Sequence, residues 1–599
     1  MFQSFEAKTR PEDGPPRLAA LRAEMARAGL DGFLVPRADR FQGEYVAPCD
    51  ERLSWLTGFT GSAGFAAVLK SVAGLFVDGR YRVQVKAQAD MTAFTPVNWP
   101  ETKLEDWLIA ALPQGGVVGL DPWLHTAAEV ARLEKALTAR QITLRPVDNL
   151  VDAIWQDRPA PPRAPARAWP VQFAGLTAEE KLDQIAGALA EAGDDAALLT
   201  QPDSLCWLLN LRGGDVAHTP LLHAMAILRR SGALDLFVEA EKLDGLTLPA
   251  AVTLRDPETL PALLAEETGR IRIDPASAPA AAKTILSDGA AEVVEGADPC
   301  LLPKARKHQA EIAATTAAHL RDGAAVARFL AWFDAEAPKG GLTEIDCVRA
   351  LEGFRRDTGA LKEISFDTIA GAGANGAIVH YRVTEQTNAP VTPGALFLID
   401  SGGQYEDGTT DITRTLSVGD TPPAAAREAF TQVLQGMIAI HRARFPRGVT
   451  GAHLDALARA PLWAAGRDFD HGTGHGVGVF LGVHEGPQRL SRVSTVALEP
   501  GMILSNEPGY YREGAFGIRI ENLVVVTEAP AIEGGDDREM LAFETLTWAP
   551  IDRRLIVPEM LAAWERDWLD AYHAEVLRRI GSLVDAPTRT WLEAACAAI

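Results

Sequence analysis

His471-Gly472-Thr473-Gly474-His475-Gly476, followed by His484-Glu485-Gly486-Pro487, is the stretch around which the rest of the chain is organised. Three histidines fall within fourteen residues, separated by glycines and small or apolar side chains, so a tight backbone that glycine permits presents the imidazoles. One histidine alone is more often a packed or surface residue. Here four acidic residues at predicted strand ends flank the run, Asp400 and Asp411 before it and Glu507 and Glu521 after it, and together they read as a metal cage.

Working outward, Ala395-Leu396-Phe397-Leu398-Ile399 is apolar up to Asp400. Asp407-Gly408 predicts a turn, and the β-branched stretch Thr409 to Leu416 returns as a partner strand, letting Asp400 and Asp411 approach across the pair. Met502-Ile503-Leu504 leads to Glu507 and is stopped by Pro508-Gly509. Gly517 to Thr527 predicts one last strand, with Arg519 and Glu521 on one face and Ile518 and Ile520 on the other. Four carboxylates converging without a cation would be forced to protonate or would unfold the site. With one neutral imidazole they suit two divalent ions joined by bridging carboxylates, because charges of about −4 and +4 nearly cancel. The oxygen-rich set favours Mn, with Zn, Co and Fe as alternatives.

Toward the N-terminus, Arg17 to Ala28 has a helical period closed by Gly29, and Gly32-Phe33-Leu34-Val35 predicts a buried strand before Trp55-Leu56. The same plan returns about 155 residues later: Thr177-Ala178-Glu179-Glu180 opens a helix as a capping box, Gly193 closes it, Ala196 to Thr200 is a strand, and Trp207-Leu208 follows. Two related α/β domains are expected. The proline-rich Arg158-Pro159-Ala160-Pro161-Pro162-Arg163-Ala164-Pro165 predicts a stiff linker, and Lys304 to Ala335 predicts one long helix or two short ones. The expected division is residues 1–157, a linker over 158–172, a second α/β domain over 173–300, and an α+β catalytic domain over 301–599.

The composition is globular, and a net charge of −22 disfavours nucleic acid and anionic lipid as partners. Five scattered cysteines without CxxC spacing indicate no disulfide framework, and no apolar run predicts a membrane span or signal peptide. A cytoplasmic protein is expected.

Asp400-Ser401-Gly402, Asp411, His475 within HGTGHG, Glu507-Pro508-Gly509-Tyr510-Tyr511 and Glu521 within Gly517-Ile518-Arg519-Ile520-Glu521-Asn522 resemble the five-ligand pattern of the pita-bread metallopeptidases, specifically the three-domain cytosolic aminopeptidase P type. Glu44-Tyr45-Val46-Ala47-Pro48-Cys49-Asp50, Gly61-Ser62-Ala63-Gly64, Asp78-Gly79-Arg80-Tyr81 and Asn210-Leu211-Arg212-Gly213 extend the resemblance over the first two domains, which it implies are creatinase-N-like. It assigns Asp400 to one metal and His475 and Glu507 to the other, with Asp411 and Glu521 bridging, and implies a metal-bridging hydroxide as nucleophile. Glu507 would move the proton to the leaving proline nitrogen, while His380, His471 and His484 bind the substrate carbonyl and proline and stabilise the oxyanion. Arg519 would be held by a carboxylate such as Asp411. The implied substrates are peptides with proline at the second position, and the implied assembly is a homodimer. Arg80 is expected in a surface salt bridge, with the mouth of the site as the alternative. A prolidase restricted to Xaa-Pro dipeptides, a metal-free binding module and a creatinase-like hydrolase remain as other readings.

Overall fold

The strand Gly32–Pro36 is buried over its first four residues and organises a six-stranded sheet. It pairs antiparallel with Phe65–Leu69 on one side and parallel with Gly116–Leu120 on the other. Ala73–Val77 and Thr95–Asn98 complete one flank, and Ile142–Pro146 closes the other. The computed structural model describes all 599 residues, Met1–Ile599.

Ala196–Leu199 has the same place in a second six-stranded sheet, antiparallel to Met225–Arg229 and parallel to Thr268–Ile273. Its outer strands, Leu234–Phe237 and Val252–Arg255 on one flank and Ala290–Glu295 on the other, repeat the order and polarity of the first sheet strand for strand. The short repeat in sequence is therefore a repeat of architecture.

Helices Gly14–Arg27 and Ala178–Ala192 precede the two organising strands. Each ends at a glycine in the left-handed region, Gly29 at φ 61° and Gly193 at φ 75°, which is the conformation that releases the chain into its strand. The second helix opens with the expected capping box, Thr177 Oγ1 accepting from Glu180 N–H and the Glu180 carboxylate accepting from Thr177 N–H at 2.8 Å. Thr177→Ala should cost about 1 kcal/mol by leaving a helix N–H without its acceptor, read as a lower urea midpoint. The Trp-Leu segments that follow each strand fold as short helices, Arg52–Thr57 and Pro202–Leu208. Arg158–Pro165 forms neither helix nor strand. Arg80 is held by Asp78, with its Nη2 donating to Asp78 Oδ2 at 2.7 Å.

Both sheets belong to one compact unit, Lys8–Val171 with Leu176–Leu301. The other comprises Leu302–Ile599 together with Gln172–Gly175 and Met1–Ala7. The N-terminal segment Met1–Ala7 thus belongs to the unit of the C-terminal residues. Phe2 N–H donates to the Glu352 carboxylate at 3.0 Å, and Phe5 is buried among Val326, Phe329, Phe333 and Val348.

In this second unit the helical stretch resolves into Leu301–Ala305 and the long Gln309–Glu336. Gln309–Glu336 packs on Glu344–Arg356, and Ala424–His441 packs on Gly451–Trp463. Antiparallel strands accompany each helix pair. After the first, Leu396–Ser401 is the centre of a sheet with Ile369–Ala372 and Ile412–Ser417. With the second goes a six-stranded sheet in the order Arg444–Pro446, Met540–Thr545, Asn522–Glu528, Ile503–Asn506, Gly474–Gly476, Glu485–Leu490, whose first strand lies between the two helices in the chain. Helices backing paired antiparallel half-sheets are the architecture expected of a pita-bread domain.

Two strands are interrupted where continuity was expected. Between Asp400 and Asp411 the chain makes a small hairpin, Gly403–Tyr405 with Gly408–Thr409, and the partner of Leu396–Ser401 begins only at Ile412. Asp400 consequently faces Thr413. The second break divides Gly517–Thr527 into Phe516–Arg519 and Asn522–Glu528, because the chain leaves one strand pair for another at Ile520-Glu521. Glu521 N–H crosses to Thr413 carbonyl oxygen at 3.2 Å, which ties this break to the first half of the domain.

Candidate metal centre

The two breaks and the histidine run meet. One ligand atom each from Asp411, His475 and Glu521 lies within 4.8 Å of the others. His475 Nε2 is 3.5 Å from Asp411 Oδ2 and 3.5 Å from Glu507 Oε1. Asp400 joins through shared partners: Arg519 Nη2 donates to Asp400 Oδ2 at 2.6 Å, while Arg519 Nε donates to Thr413 Oγ1, whose own hydroxyl donates to Glu521 Oε2 at 2.8 Å. A carboxylate holds Arg519, as expected, and it is Asp400, the residue facing Thr413, rather than Asp411.

Gly474 makes this convergence possible. A Cβ there would lie 1.9 Å from Ser505 carbonyl oxygen, so only glycine lets Gly474–Gly476 approach Ile503–Asn506. None of Gly472, Gly474 and Gly476 has a positive φ, so the glycines of the run serve close approach rather than a left-handed turn. His475 N–H donates to Ser505 Oγ at 2.9 Å, and Ser505 Oγ–H donates to Glu507 Oε1 at 3.2 Å. Beneath the run, buried Arg459 donates to His471 carbonyl oxygen at 2.6 Å and pairs with Asp455, which accepts from Thr473 Oγ1 at 2.7 Å. Glu507 N–H returns to Thr473 carbonyl oxygen at 2.8 Å.

The electrostatics are those of carboxylates short of positive charge. Burial, reinforced by neighbouring acids and opposed by His475 and Arg519, raises Glu507 to about 7. Burial and the charges of Asp411, Asp400 and Glu507 hold Glu521 well above the carboxylate range, and burial also raises Asp400 against the pull of Arg519. Burial works against a His475 cation, yet hydrogen bonding to Asp411 and the charges of Glu507 and Asp411 outweigh it and raise the imidazole to about 9. Asp400 Oδ1 and Glu521 Oε1 are buried with no hydrogen-bond partner. His475 Nδ1 donates to Gly476 carbonyl oxygen at 2.9 Å, which directs the other ring nitrogen at the acids. Buried carboxylate oxygens without partners, together with an oriented imidazole, are a donor set that fits divalent cations.

Around the cluster, Tyr511 was not singled out from sequence as a site residue. Its hydroxyl accepts from Arg519 Nη1 at 2.6 Å and lies 2.8 Å from His471 Nε2. With His471 Nδ1 donating to Gly472 carbonyl oxygen at 2.7 Å, Nε2 is left to accept the Tyr511 proton, giving a chain Asp400, Arg519, Tyr511, His471. The hairpin pairing Gly509–Arg512 with Phe516–Arg519 sets Tyr511 diagonal to Arg519 on one face, a relation that alternation alone encodes. The exposed His484 ring meets His475 edge-on, with centroids 4.3 Å apart. His380 is half-buried beyond the Gly373–Ala377 turn, next to Tyr381, whose hydroxyl donates to Thr387 carbonyl oxygen at 2.9 Å.

A catalytic domain of this fold, built around a buried cluster of acids and one imidazole, defines a hydrolase of the metallopeptidase class. Residues 313–528 match the model of metallopeptidase family M24, and 539–599 match the C-terminal region of that peptidase. Residues 17–154 and 157–311 each match a creatinase/prolidase N-terminal domain, in agreement with the duplicated sheets. A probable Xaa-Pro aminopeptidase P of Neosartorya fischeri is 38% identical over 96% of this chain and 91% of its own length, and aminopeptidase P2 of Arabidopsis thaliana is 38% identical over 94% and 85%. The crystal structure of the X-prolyl aminopeptidase of Caenorhabditis elegans, described as a cytosolic enzyme with a dinuclear active site, superposes with a TM-score of 0.92 at 32% identity, covering 98% of this chain and 99% of that one. The chain belongs to the Xaa-Pro aminopeptidase P group of metallopeptidase family M24.

Proposed function

We propose that this chain is an aminopeptidase that hydrolyses the bond between an N-terminal residue and a following proline, using two divalent cations held by Asp400, Asp411, His475, Glu507 and Glu521. The observation that carries the reading is the pair of buried, unpartnered carboxylate oxygens on Asp400 and Glu521, set around an imidazole whose tautomer is already fixed. Bound at this centre, the cations would supply an activated water and polarise the scissile carbonyl. Manganese suits the four carboxylates best.

The chain's own residues account for the remaining steps. Glu507, whose Oε1 accepts from Ser505 Oγ–H, is poised to take a proton from water and return it to the proline nitrogen. Arg519 balances Asp400 and fixes the Tyr511 hydroxyl, behind which His471 is engaged through both ring nitrogens. His484 stands exposed beside His475 and, with His380, serves the substrate carbonyl and the proline ring. A bond preceding proline has no amide N–H, so enzymes that need that donor reject it, whereas this site draws its rate from other groups.

No helix is long and apolar enough to cross a membrane. We place the enzyme in the cytoplasm, as a homodimer acting on peptides with proline second. The test is a turnover series on Xaa-Pro peptides of about two to nine residues with added Mn, Zn or Co. Release of arginine from Arg-Pro-Pro is expected. Turnover confined to Xaa-Pro dipeptides would instead define a prolidase.

A further inference from the structure

His484 and Glu485 are adjacent in a stretch where Val483 and Glu485 are buried and His484 between them is exposed. The His484 side is exposed, whereas the Glu485 side chain is 1% exposed and lies against two lysines equally buried, Lys304 and Lys307. Lys307 Nζ pairs with Glu485 Oε1, and Lys304 Nζ is 3.3 Å from Oε2. Lys307 Nζ also donates to Lys304 carbonyl oxygen at 2.8 Å, which locks the two lysines together.

The lysine segment is fastened to the sheet that carries Glu507. Arg306 bridges Met502, and Lys307 N–H donates to Gly501 carbonyl oxygen at 3.1 Å. On the other side, Glu485 pairs with Gly476, next to His475. The ion cluster therefore closes a ring: lysine segment, Ile503–Asn506, Gly474–Gly476, Glu485, and back to the lysines. Val477, Val479, Phe480, Leu481 and Val483 bury the start of this stretch, and the Glu485 ion group fixes its far end, one residue beyond His484. A buried ion group is a poor source of stability compared with apolar side chains of the same volume, and its best-attested use is to fix one geometry.

We propose that Glu485, clamped by Lys304 and Lys307, is a positioning residue that sets the His484 imidazole against the reacting carbonyl. The inference rests on the reading of His484 as a substrate-contacting group. Glu485 touches neither substrate nor cation, and acts by fixing the backbone one residue away.

A double-mutant cycle tests it on the metal-loaded full chain with Arg-Pro-Pro. Glu485→Gln should lower kcat by about tenfold to a hundredfold, the cost of misplacing a catalytic group by about 1 Å, with KM and bound metal unchanged. Lys307→Met removes the same clamp from the other side and should reproduce the effect should Glu485→Gln fail to fold. In a His484→Ala background neither substitution should cost more than about twofold, because contacts that act through one group are not additive. An equal loss in both backgrounds, or a loss that tracks bound metal, would overturn the positioning role. No effect of His484→Ala by itself would instead remove the functional reading of His484, and the positioning role with it.

Discussion

Replacing Glu507 by Gln should lower kcat on an Xaa-Pro peptide by on the order of a thousandfold, since general acid–base transfer at a positioned carboxylate is worth about a hundredfold to ten-thousandfold. The amide keeps the side chain's size and can still accept from Ser505 Oγ–H, but it neither takes the water proton nor offers a charged ligand. The fold should persist, because the Ile503–Asn506 ladder that presents residue 507 is untouched. Without metal the variant should melt no lower than the parent, since one member of a crowded acid cluster is gone. Steady-state kinetics with metal analysis checks this. Parental turnover would contradict the role of Glu507.

Removing the metals should make stability pH-dependent in a defined direction. Glu507 is raised in the fold from 4.5 to about 7, and His475 from 6.5 to about 9. Both folded values exceed the unfolded ones, so the folded chain binds more protons over the interval and stability falls as pH rises through it. Glu521 and Asp400, also raised, act with the same sign. The metal-free Tm should therefore drop, by on the order of 5 °C, between about pH 5 and pH 9. Metal loading supplies the missing positive charge and displaces those protons, so the gap between loaded and stripped protein should widen over the same range. Paired calorimetric scans measure it, and a constant gap would show that these carboxylates do not bind the ions.

Much of this centre was legible because an apolar strand that runs into a carboxylate is readable from local pattern, as at Asp400, and because Glu507 stands where Pro508-Gly509 stops the strand Ile503–Asn506. The duplicated front half was legible for a related reason: helical period, closing glycine and apolar strand are short-range signals, and they occur at Gly29 and Gly32–Pro36 and again at Gly193 and Ala196–Leu199. Other features depend on partners far along the chain. The break at Glu521 exists because its N–H bonds to Thr413, and Phe5 joins the C-terminal core because an apolar recess there receives it. A carboxylate partner for Arg519 is legible in the sequence but its identity is not, since the hairpin inserted after Ser401 shifts Asp411 out of line with Asp400. Tyr511 belongs to the Glu507-Pro508-Gly509-Tyr510-Tyr511 pattern, but its bond to Arg519 is not legible there, because a tyrosine in a β-hairpin is ordinary until its diagonal partner is known.

The claim on which the rest depends is that five side chains from Asp400 to Glu521 share two cations. Anomalous diffraction at the manganese edge from crystals grown with Mn tests it most directly. The account predicts two peaks per chain, one near Asp400, one near His475 and Glu507, with Asp411 and Glu521 between them. One peak, or peaks away from these residues, would contradict it.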